Sequence, residues 1–373
     1  MPRTVLLLAQ LPPPVHGVTV VTRRVRDTLR EMQGVTVEQQ WTGGAASLED
    51  VGRSSLAKAA QFARFVISLG VRALTRPKVD IAYLTLAPWA RTSIRDAILA
   101  ACAKGLSRRT LVHVHGEGLD AILADTSLRA RLTRRFLAGT ELVAITARCR
   151  DTATRSNLFV RTWSLPNGSP DPGPRPGTAS RTASDGLLCG TLGNLDPRKG
   201  VLRFVDAIAA ARSAGISVNG RIVGDRTPHL SPADLADLIN EKGLENIIRV
   251  EGPKYGKQKT EFLHELDVFL YLSKHDHAPL VLIEAMAHGA IPICLDTGGI
   301  GEIMGAAFAP NLISNDADGA DLQSRVLRRL AYYASNPEAL AADRQAARRR
   351  YLEAYTEPAF ASTLTAIFGN ERT

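Results

Sequence analysis

Short runs of apolar and β-branched residues alternate with longer segments of helical periodicity along the chain. In the first half the runs that predict strands lie at 5–10, 35–41, 79–86, 110–115, 141–146 and 158–164. In the second half they lie at 186–192, 218–223, 247–250, 268–272 and 291–295, and roughly the last fifty residues follow a helical pattern with breaks at Pro337 and Pro358. This alternation predicts βα units on parallel sheets.

Residues 168–185 interrupt the pattern with Pro, Gly and Ser, as a linker does. We therefore predict an α/β protein with two doubly wound, Rossmann-like domains, at 1–167 and 186–355, and a C-terminal helix within 356–373. Ligands of such sheets bind at the carboxyl ends of the strands. We expect the ligand site in a cleft between the two domains.

The composition of this 373-residue chain, 45% hydrophobic and 22% charged, is typical of soluble globular proteins. No uncharged apolar run approaches the roughly 18 to 20 residues that span a bilayer. The run at 4–10 has the length of a buried strand, and the basic lead before it is too short for a signal peptide. Four scattered cysteines lack the spacing of a zinc site and indicate a reducing compartment. We expect a cytoplasmic protein.

The net charge of +9 is unevenly distributed. Residues 1–165 contain 24 Lys and Arg against 12 Asp and Glu, whereas the remainder contains 22 against 25. An excess of this kind favours an anionic partner for the first half, such as a membrane surface, a lipid phosphate or a nucleic acid. Aromatic residues are only 5%, with no alternating basic and aromatic strand, which argues against single-stranded nucleic acid.

The segment 273–302 carries the most informative chemistry. Asp276 and Glu284 lie eight positions apart and flank a short apolar run that begins with Pro279. A helix that starts there would direct the backbone N–H groups of Leu280 and Val281 toward an anion beside Asp276. A nucleotide sugar combines a diphosphate for such a helix terminus with hydroxyls that need carboxylate acceptors.

This segment resembles the E-x7-E signature of the retaining glycosyltransferases of family 4, the glycosyl transferases group 1, with Asp276 in the first position and Glu284 in the second. The resemblance continues through 284–292 and through 298–302. It implies the GT-B fold, two Rossmann-like domains facing a cleft, with the final helix often packed on the first domain. It also implies that Glu284 binds the nucleotide ribose and that Gly298, Gly299 and Glu302 line the same pocket.

The segment 190–200 resembles the family's strand-to-helix turn, in which an arginine and a lysine bind the leaving diphosphate. Lys199 matches that lysine, but Asn194 stands where the arginine belongs. Arg198 could supply the missing charge, or it could form an ordinary solvated pair with its neighbour. Asp276 is a second departure, because its carboxylate is shorter than that of Glu and would reach a sugar hydroxyl differently.

Two histidine–glycine pairs in the first half follow predicted strands. His16 and Gly17 open the first helix, and the resemblance implies that this loop faces the donor diphosphate. His115 and Gly116 follow the fourth strand, where the family has a histidine that contacts the donor sugar. Strand alternation places His113 on the same face as His115. The pair could bind a metal, although no third ligand is visible, or be core histidines satisfied by backbone.

Two basic segments could contact a membrane. A predicted helix carries Arg129, Arg131, Arg134 and Arg135, and the apolar period of Leu128, Leu132, Phe136 and Leu137 predicts that these arginines share its outer surface. The segment 54–76 is rich in Ala, Phe, Val and Leu and also carries cations. Either could be an ordinary solvated face or a site for anionic lipid.

We interpret the sequence as a retaining hexosyltransferase that uses a UDP- or GDP-linked sugar and no further cofactor or metal. The basic first domain would hold a lipid-linked or surface-polysaccharide acceptor, and the protein would lie at the inner face of the cell membrane. A nucleotide-sugar epimerase and a non-catalytic GT-B protein that binds nucleotide sugar or a partner enzyme are alternatives. A dehydrogenase is disfavoured, because no G-x-G-x-x-G follows the first strand.

Overall fold

The computed structural model describes residues 2–13, 15–40, 56–88, 92–174 and 186–369. These residues form two compact units, Met1–Asn167 with Pro358–Thr373, and Gly168–Glu357. The greater part of the predicted linker, 175–185, lies outside the described residues, as does the end of the predicted strand 35–41.

The first unit contains a six-stranded parallel sheet in the order β2-β1-β3-β4-β5-β6. Its strands are β1 Arg3–Leu8, β2 Val35–Gln39, β3 Val79–Leu86, β4 Ser107–Val114, β5 Glu141–Ala144 and β6 Arg161–Ser164. Its helices are α1 Gly17–Glu31, α2 Leu56–Thr75, α3 Thr92–Leu106, α4 Leu119–Ala124, α5 Leu128–Leu137 and α6 Ala147–Arg155. Leu6, Leu84 and Val112, on three of the four inner strands, are fully buried, as expected when helices cover both faces of a parallel sheet.

The second unit contains a second parallel sheet in the order β12-β11-β10-β7-β8-β9. Its strands are β7 Leu187–Leu192, β8 Val218–Val223, β9 Ile248–Glu251, β10 Val268–Tyr271, β11 Ile291–Asp296 and β12 Leu312–Ser314. Its helices are α7 Val201–Ser213, α8 Pro232–Glu241, α9 Gly256–Glu265, α10 Leu280–Ala287, α11 Ile300–Met304, α12 Gly319–Ser335 and α13 Pro337–Ala354. The sequence pattern missed β12, because a three-residue edge strand is too short to show alternation.

The last helix, α14 Glu357–Gly369, groups from Pro358 onward with the first unit. Its buried face consists of Phe360, Leu364, Ile367 and Phe368. Two arginines from the first sheet bind its C-terminal carbonyls: Arg3 donates to the carbonyl of Phe368 at 2.5 Å, and Arg109 to that of Ile367 at 3.1 Å. Cationic donors at the end of a helix satisfy carbonyls that have no partner within it.

None of the described helices is long and apolar enough to cross a membrane. All four cysteines are free, and Cys149, Cys189 and Cys294 are buried. Burial raises the pKa of Cys149 to about 12, so its thiol is protonated at neutral pH. These three side chains pack as small apolar groups of the core.

Candidate nucleotide-sugar site

The turn after β7 brings Lys199 to the end of β10. A short 3-10 helix, Pro197–Lys199, ends at Gly200, which has a φ of 86°. A Cβ atom at Gly200 would lie 2.2 Å from the carbonyl oxygen of Leu272, which directly follows β10. Only glycine combines this positive φ with so close an approach. The contact therefore fixes the turn against the carboxyl end of β10, where Asp276 follows.

Asp276 is held by three donors. Lys199 Nζ lies 2.5 Å from Asp276 Oδ1, and the Tyr271 hydroxyl and Ser273 Oγ donate to Oδ2 at 2.6 Å and 2.7 Å. Burial, together with the charge of Asp276, raises the pKa of Tyr271 well above its ordinary value, so the phenol is protonated and donates. Both carboxylate oxygens are thus engaged, and the carboxylate joins the Lys199 turn to the end of β10.

Helix α10 begins directly after this loop, as the sequence predicted. Pro279 is its N-cap, has extended backbone angles and provides no side-chain cap. Leu280 and Val281 are therefore in the first turn, where backbone N–H groups have no acceptor within the helix. The positive end of the helix dipole lies three residues beyond Asp276 and favours an anion there.

Glu284 lies on the second turn of α10 and forms an ion pair with Lys259 of α9. The distance from Lys259 Nζ to Glu284 Oε1 is 2.7 Å, and both side chains are partly buried. Each of the two acids of the signature is thus paired with a lysine that is distant in sequence. A ribose hydroxyl at Glu284 would have to share the carboxylate with Lys259 or bind its second oxygen.

Gly298 and Gly299 pack directly against the Asp276 loop. Gly298 has a φ of 58°, and a Cβ there would lie 2.6 Å from the carbonyl oxygens of Asp276 and His277. The Gly299 amide donates to the His277 carbonyl at 2.6 Å. Glu302 is exposed in α11, and its backbone carbonyl accepts from Arg350 at 2.9 Å. The two glycines therefore shape the backbone that carries Asp276.

Arg198 is already paired. Its guanidinium donates to both oxygens of Asp196, with the shortest contact at 2.6 Å, although the side chain is 68% exposed. The hydrogen bonds from Arg198 hold the pKa of Asp196 below its usual range. Asn194 lies exposed in the same turn, and its carbonyl accepts from the Asp196 amide. Arg198 would have to leave Asp196, or bridge from it, to reach a diphosphate.

The first unit carries the other predicted site residues. His16 is the N-cap of α1, and its amide and carbonyl both bond to the Thr19 hydroxyl, at 3.1 Å and 3.0 Å. Burial lowers the pKa of His16. Gly17 starts the helix without a positive φ, and a Cβ there would meet nothing within 4 Å. The glycine therefore leaves open space at a helix N-terminus and is not required by a strained turn.

His113 and His115 lie on one face of β4 and its extension, as alternation predicted, with ring centroids 3.9 Å apart. His113 is fully buried, and its Nδ1 lies 2.7 Å from the Tyr83 hydroxyl. Its partner is therefore a side chain and not the backbone. Burial and the neighbouring His115 hold the pKa of His113 well below its ordinary value. Half-buried His115 and Gly116 follow the strand.

The expectation that all four arginines of α5 lie on its outer surface is wrong for Arg134. Its guanidinium donates to carbonyls at the C-terminal end of α4, those of Ile122, Leu123 and Asp125, at 2.7, 3.3 and 2.6 Å. Carbonyls at a helix end need such donors, and the guanidinium fork supplies several at once. The other three, Arg129, Arg131 and Arg135, are exposed.

The apolar face of α5 also differs from the expected one. Leu128 and Leu132 are exposed, whereas Ala130, Thr133 and Leu137 are buried. The buried face of α5 is therefore rotated around the helix axis relative to the face that the leucine spacing predicted. The reason is that small residues, Ala130 and Thr133, allow α5 to pack closely at that face.

Sequence reasoning missed Tyr271, Ser273 and Lys259. Tyr271 is the last residue of β10 and Ser273 follows shortly after it, both within five residues of Asp276, so hydroxyls near the carboxyl end of that strand were a usable signal. Lys259 gives no local signal, because it comes from a different helix. Among the residues that the structure describes, no group of three or more His, Cys, Asp or Glu is arranged to hold a metal ion.

Residues 179–345, which include Lys199, Asp276 and Glu284, match the model of the family described as Glycosyl transferases group 1. No curated protein matches the chain significantly in sequence.

Solved structures match nearly the whole chain. Sucrose-phosphate synthase (tll1590) from Thermosynechococcus elongatus matches with a TM-score of 0.72, 15% identity and 98% coverage of both chains. Alr3699/HepE from Anabaena in complex with UDP matches with a TM-score of 0.69 and 14% identity over 98% of this chain and 99% of that one. The apo form of the lipopolysaccharide outer core galactosyltransferase WaaB matches with a TM-score of 0.68 and 13% identity over 98% and 99%. These likenesses confirm the predicted GT-B fold.

Proposed function

We propose that this chain is a glycosyltransferase that transfers a hexose from a UDP- or GDP-linked sugar, with retention, to a lipid-linked or surface-polysaccharide acceptor. The proposal depends chiefly on one arrangement: Lys199 Nζ lies 2.5 Å from the Asp276 carboxylate, and α10 begins a short loop after Asp276. It lies inside the segment that matches the glycosyl transferases group 1. Alr3699/HepE, which shares the fold, is bound to UDP in its structure.

In the proposed reaction Lys199 and the N–H groups of Leu280 and Val281 bind the donor diphosphate. The bond from the sugar C1 to the diphosphate oxygen breaks, and a bond to the acceptor oxygen forms on the same face. The acceptor proton passes to the leaving diphosphate. The ammonium and the helix terminus stabilise the negative charge that develops, which lowers the barrier more than it strengthens ground-state binding.

The two carboxylates have different proposed roles. Glu284 accepts hydrogen bonds from the ribose while it keeps its ion pair with Lys259. Asp276 orients Lys199 and presents its remaining lone pairs to the transferred sugar. Gly298 and Gly299 maintain the backbone of the loop that carries Asp276. From the first unit we assign His115 and Gly116 to the sugar and His16 and Gly17 to the diphosphate.

The charge of the first half and one structural neighbour support the proposed acceptor and location. The excess of Lys and Arg over Asp and Glu lies in residues 1–165, 24 against 12, and suits an acceptor that carries lipid phosphate. The apo galactosyltransferase WaaB, which has the same fold, is named for the lipopolysaccharide outer core. We propose that the protein acts at the inner face of the cell membrane.

A second candidate is a non-catalytic protein that binds a nucleotide sugar. One specific observation favours it: the arginine expected at the diphosphate is replaced by neutral Asn194, and the adjacent Arg198 is held by Asp196. With one cation fewer, the site would bind a diphosphate but stabilise its departure less.

A donor panel tests the proposal. UDP, GDP, UDP-glucose, UDP-galactose and GDP-mannose are added separately to the protein, and the melting temperature is followed. A ligand at about 100 times its Kd stabilises by about 2.7 kcal/mol and raises the melting temperature measurably. NMR of the anomeric proton in the transfer product then reports retention. An inverted product refutes the retaining mechanism, binding without turnover favours the non-catalytic candidate, and the absence of any shift refutes donor binding.

A further inference from the structure

Helix α2 packs on the first unit through one side only. Phe62 and Phe65 are partly buried against the core of that unit, and Leu69 is its one fully buried residue. These positions repeat at intervals of three and four, so they form a single stripe. The helix is therefore seated by aromatic and leucine contacts along that stripe, and its opposite side is exposed.

The exposed side of α2 is also apolar. Leu56, Ile67, Val71 and Leu74 are exposed by 91%, 65%, 55% and 90%. Their spacing places them on one side of the helix, and the alanines at 60 and 63 continue the same line. From Leu56 to Leu74 this line, the α2 stripe, is about 27 Å long at 1.5 Å per residue.

Elsewhere, exposed large apolar side chains are scattered. The described residues outside α2 that share this property are Val15, Leu128, Leu132, Val160, Tyr255, Tyr332 and Leu352. They belong to six different loops and helices, with at most two on one helix. Scattered apolar residues are normal on a protein surface, whereas a continuous line of four marks an interaction surface.

The charge around the α2 stripe favours an anionic partner. Residues 54–79 contain five cations, Lys58, Arg64, Arg72, Arg76 and Lys78, and no acidic residue. Arg64, Arg76 and Lys78 are exposed, whereas Arg72 pairs with Glu38 of β2 at 2.7 Å. A groove of about 340 Å³ beside the helix is lined by Arg72, Arg76 and Glu38, and by Ser68 and Thr75, whose hydroxyls donate to carbonyls within α2. The exposed cations Arg76 and Lys78 suit phosphate groups.

We infer that α2 is the helix by which this protein docks on an anionic lipid bilayer, with the α2 stripe in the acyl boundary and the cations at the headgroups. An apolar line beside basic residues is the pattern of helices that lie in the membrane interface. A second copy of the chain fits less well, because it would bring the exposed cations together with no acid on α2 to pair them. The inference rests on the membrane location in the proposed function and assigns it to α2 in preference to the arginines of α5.

The test uses the full chain and vesicles of two compositions, pure phosphatidylcholine and phosphatidylcholine with 30% phosphatidylglycerol. The variant replaces Leu56, Ile67 and Leu74 by Gln, and the matched control replaces Leu128, Val160 and Leu352 by Gln. All six side chains are exposed, so both proteins keep their cores. We expect the α2 variant to bind the anionic vesicles about tenfold more weakly or worse in cosedimentation, and the control to bind within about twofold of wild type.

Wild-type binding should also weaken as salt rises, because the charge attraction is screened within about 8 to 10 Å. If the α2 variant binds as well as wild type, or if the control loses as much, the inference is wrong. A wild-type dimer that the α2 substitutions dissociate, without vesicle binding, would also overturn it in favour of a second copy. Leu74→Gln alone, at a 90% exposed position, serves if the triple variant is unstable. The donor-induced melting shift is measured on every variant, so failure of donor binding is distinguished from failure of docking.

Discussion

The carboxylate of Asp276 connects the Lys199 turn to the end of β10, so Asp276→Asn is the most direct test of the site. An asparagine keeps the size of the side chain but offers one acceptor oxygen and one NH2 group. If the oxygen faces Tyr271 and Ser273, the NH2 group faces the Lys199 ammonium, and donor meets donor. If the amide flips, the buried Tyr271 hydroxyl loses its acceptor. Neither orientation satisfies all three donors.

The magnitude follows from these contacts. A hydrogen bond to a charged group contributes about 1.5 to 3 kcal/mol, and a half-exposed ion pair contributes up to about 1 kcal/mol. We expect Asp276→Asn to cost roughly 2 kcal/mol, which lowers the melting temperature by about 4 to 8 °C for a unit of this size. Tyr271→Phe removes one donor to the charged carboxylate and should cost about 1.5 kcal/mol. The measurement is thermal unfolding of the two variants beside wild type.

A double-mutant cycle isolates the ion pair. If Asp276 positions Lys199, then Lys199→Ala and Asp276→Asn should show a coupling of about 0.5 to 1 kcal/mol in stability, and their effects on turnover should be far from additive. The combined variant should be slower than Lys199→Ala only by the loss of the sugar contact of Asp276, and therefore by less than the product of the two single effects. Strict additivity in both readouts would refute the reasoning, because it would mean that the two side chains act independently.

Three further predictions concern the same site. Gly200→Ala should lower the free energy of unfolding by more than about 3 kcal/mol or prevent folding, because its Cβ would collide with the backbone that follows β10. Gly215→Ala, at a similar φ in open space, should cost only about 1 kcal/mol. Chemical denaturation compares the two variants, and equal costs would contradict the packing argument. Lys199→Ala should lower kcat at least about a hundredfold with the donor that the melting-temperature panel identifies. Arg198→Ala should change kcat little if Asp196 retains the guanidinium. Unchanged turnover for Lys199→Ala would refute the proposed role of Lys199 at the diphosphate. Glu284→Gln should weaken binding of free nucleotide and sugar donor alike, whereas Asp276→Asn should weaken binding of the sugar donor more than that of the free nucleotide. Titration calorimetry with the nucleotide and with the sugar donor measures this, and equal losses for Asp276→Asn would overturn the division of roles.

Local sequence signals predicted some features of the site and not others. The helix beginning near Pro279 was predictable because proline and the apolar run after it are local signals. The pairing of Lys199 with Asp276 joins residues 77 positions apart, and that of Lys259 with Glu284 joins residues 25 apart. The family resemblance suggested that Lys199 and Asp276 belong to one site, but it gave no indication that each carboxylate is already bound by a lysine.

The amino-acid sequence by itself predicted most segments that become strands and helices, though not the short β12, and its signature predicted the nucleotide-sugar chemistry proposed for the second unit. Periodicity and turn residues act within a few positions of one another, so they can be read without the fold. Tertiary structure alone decided that Arg134 turns inward to the end of α4, that Tyr271 and Ser273 hold Asp276, and that α2 presents a second apolar line outward. The physical reason is that a helix or strand can offer more than one face, and close packing against distant segments determines which face is buried.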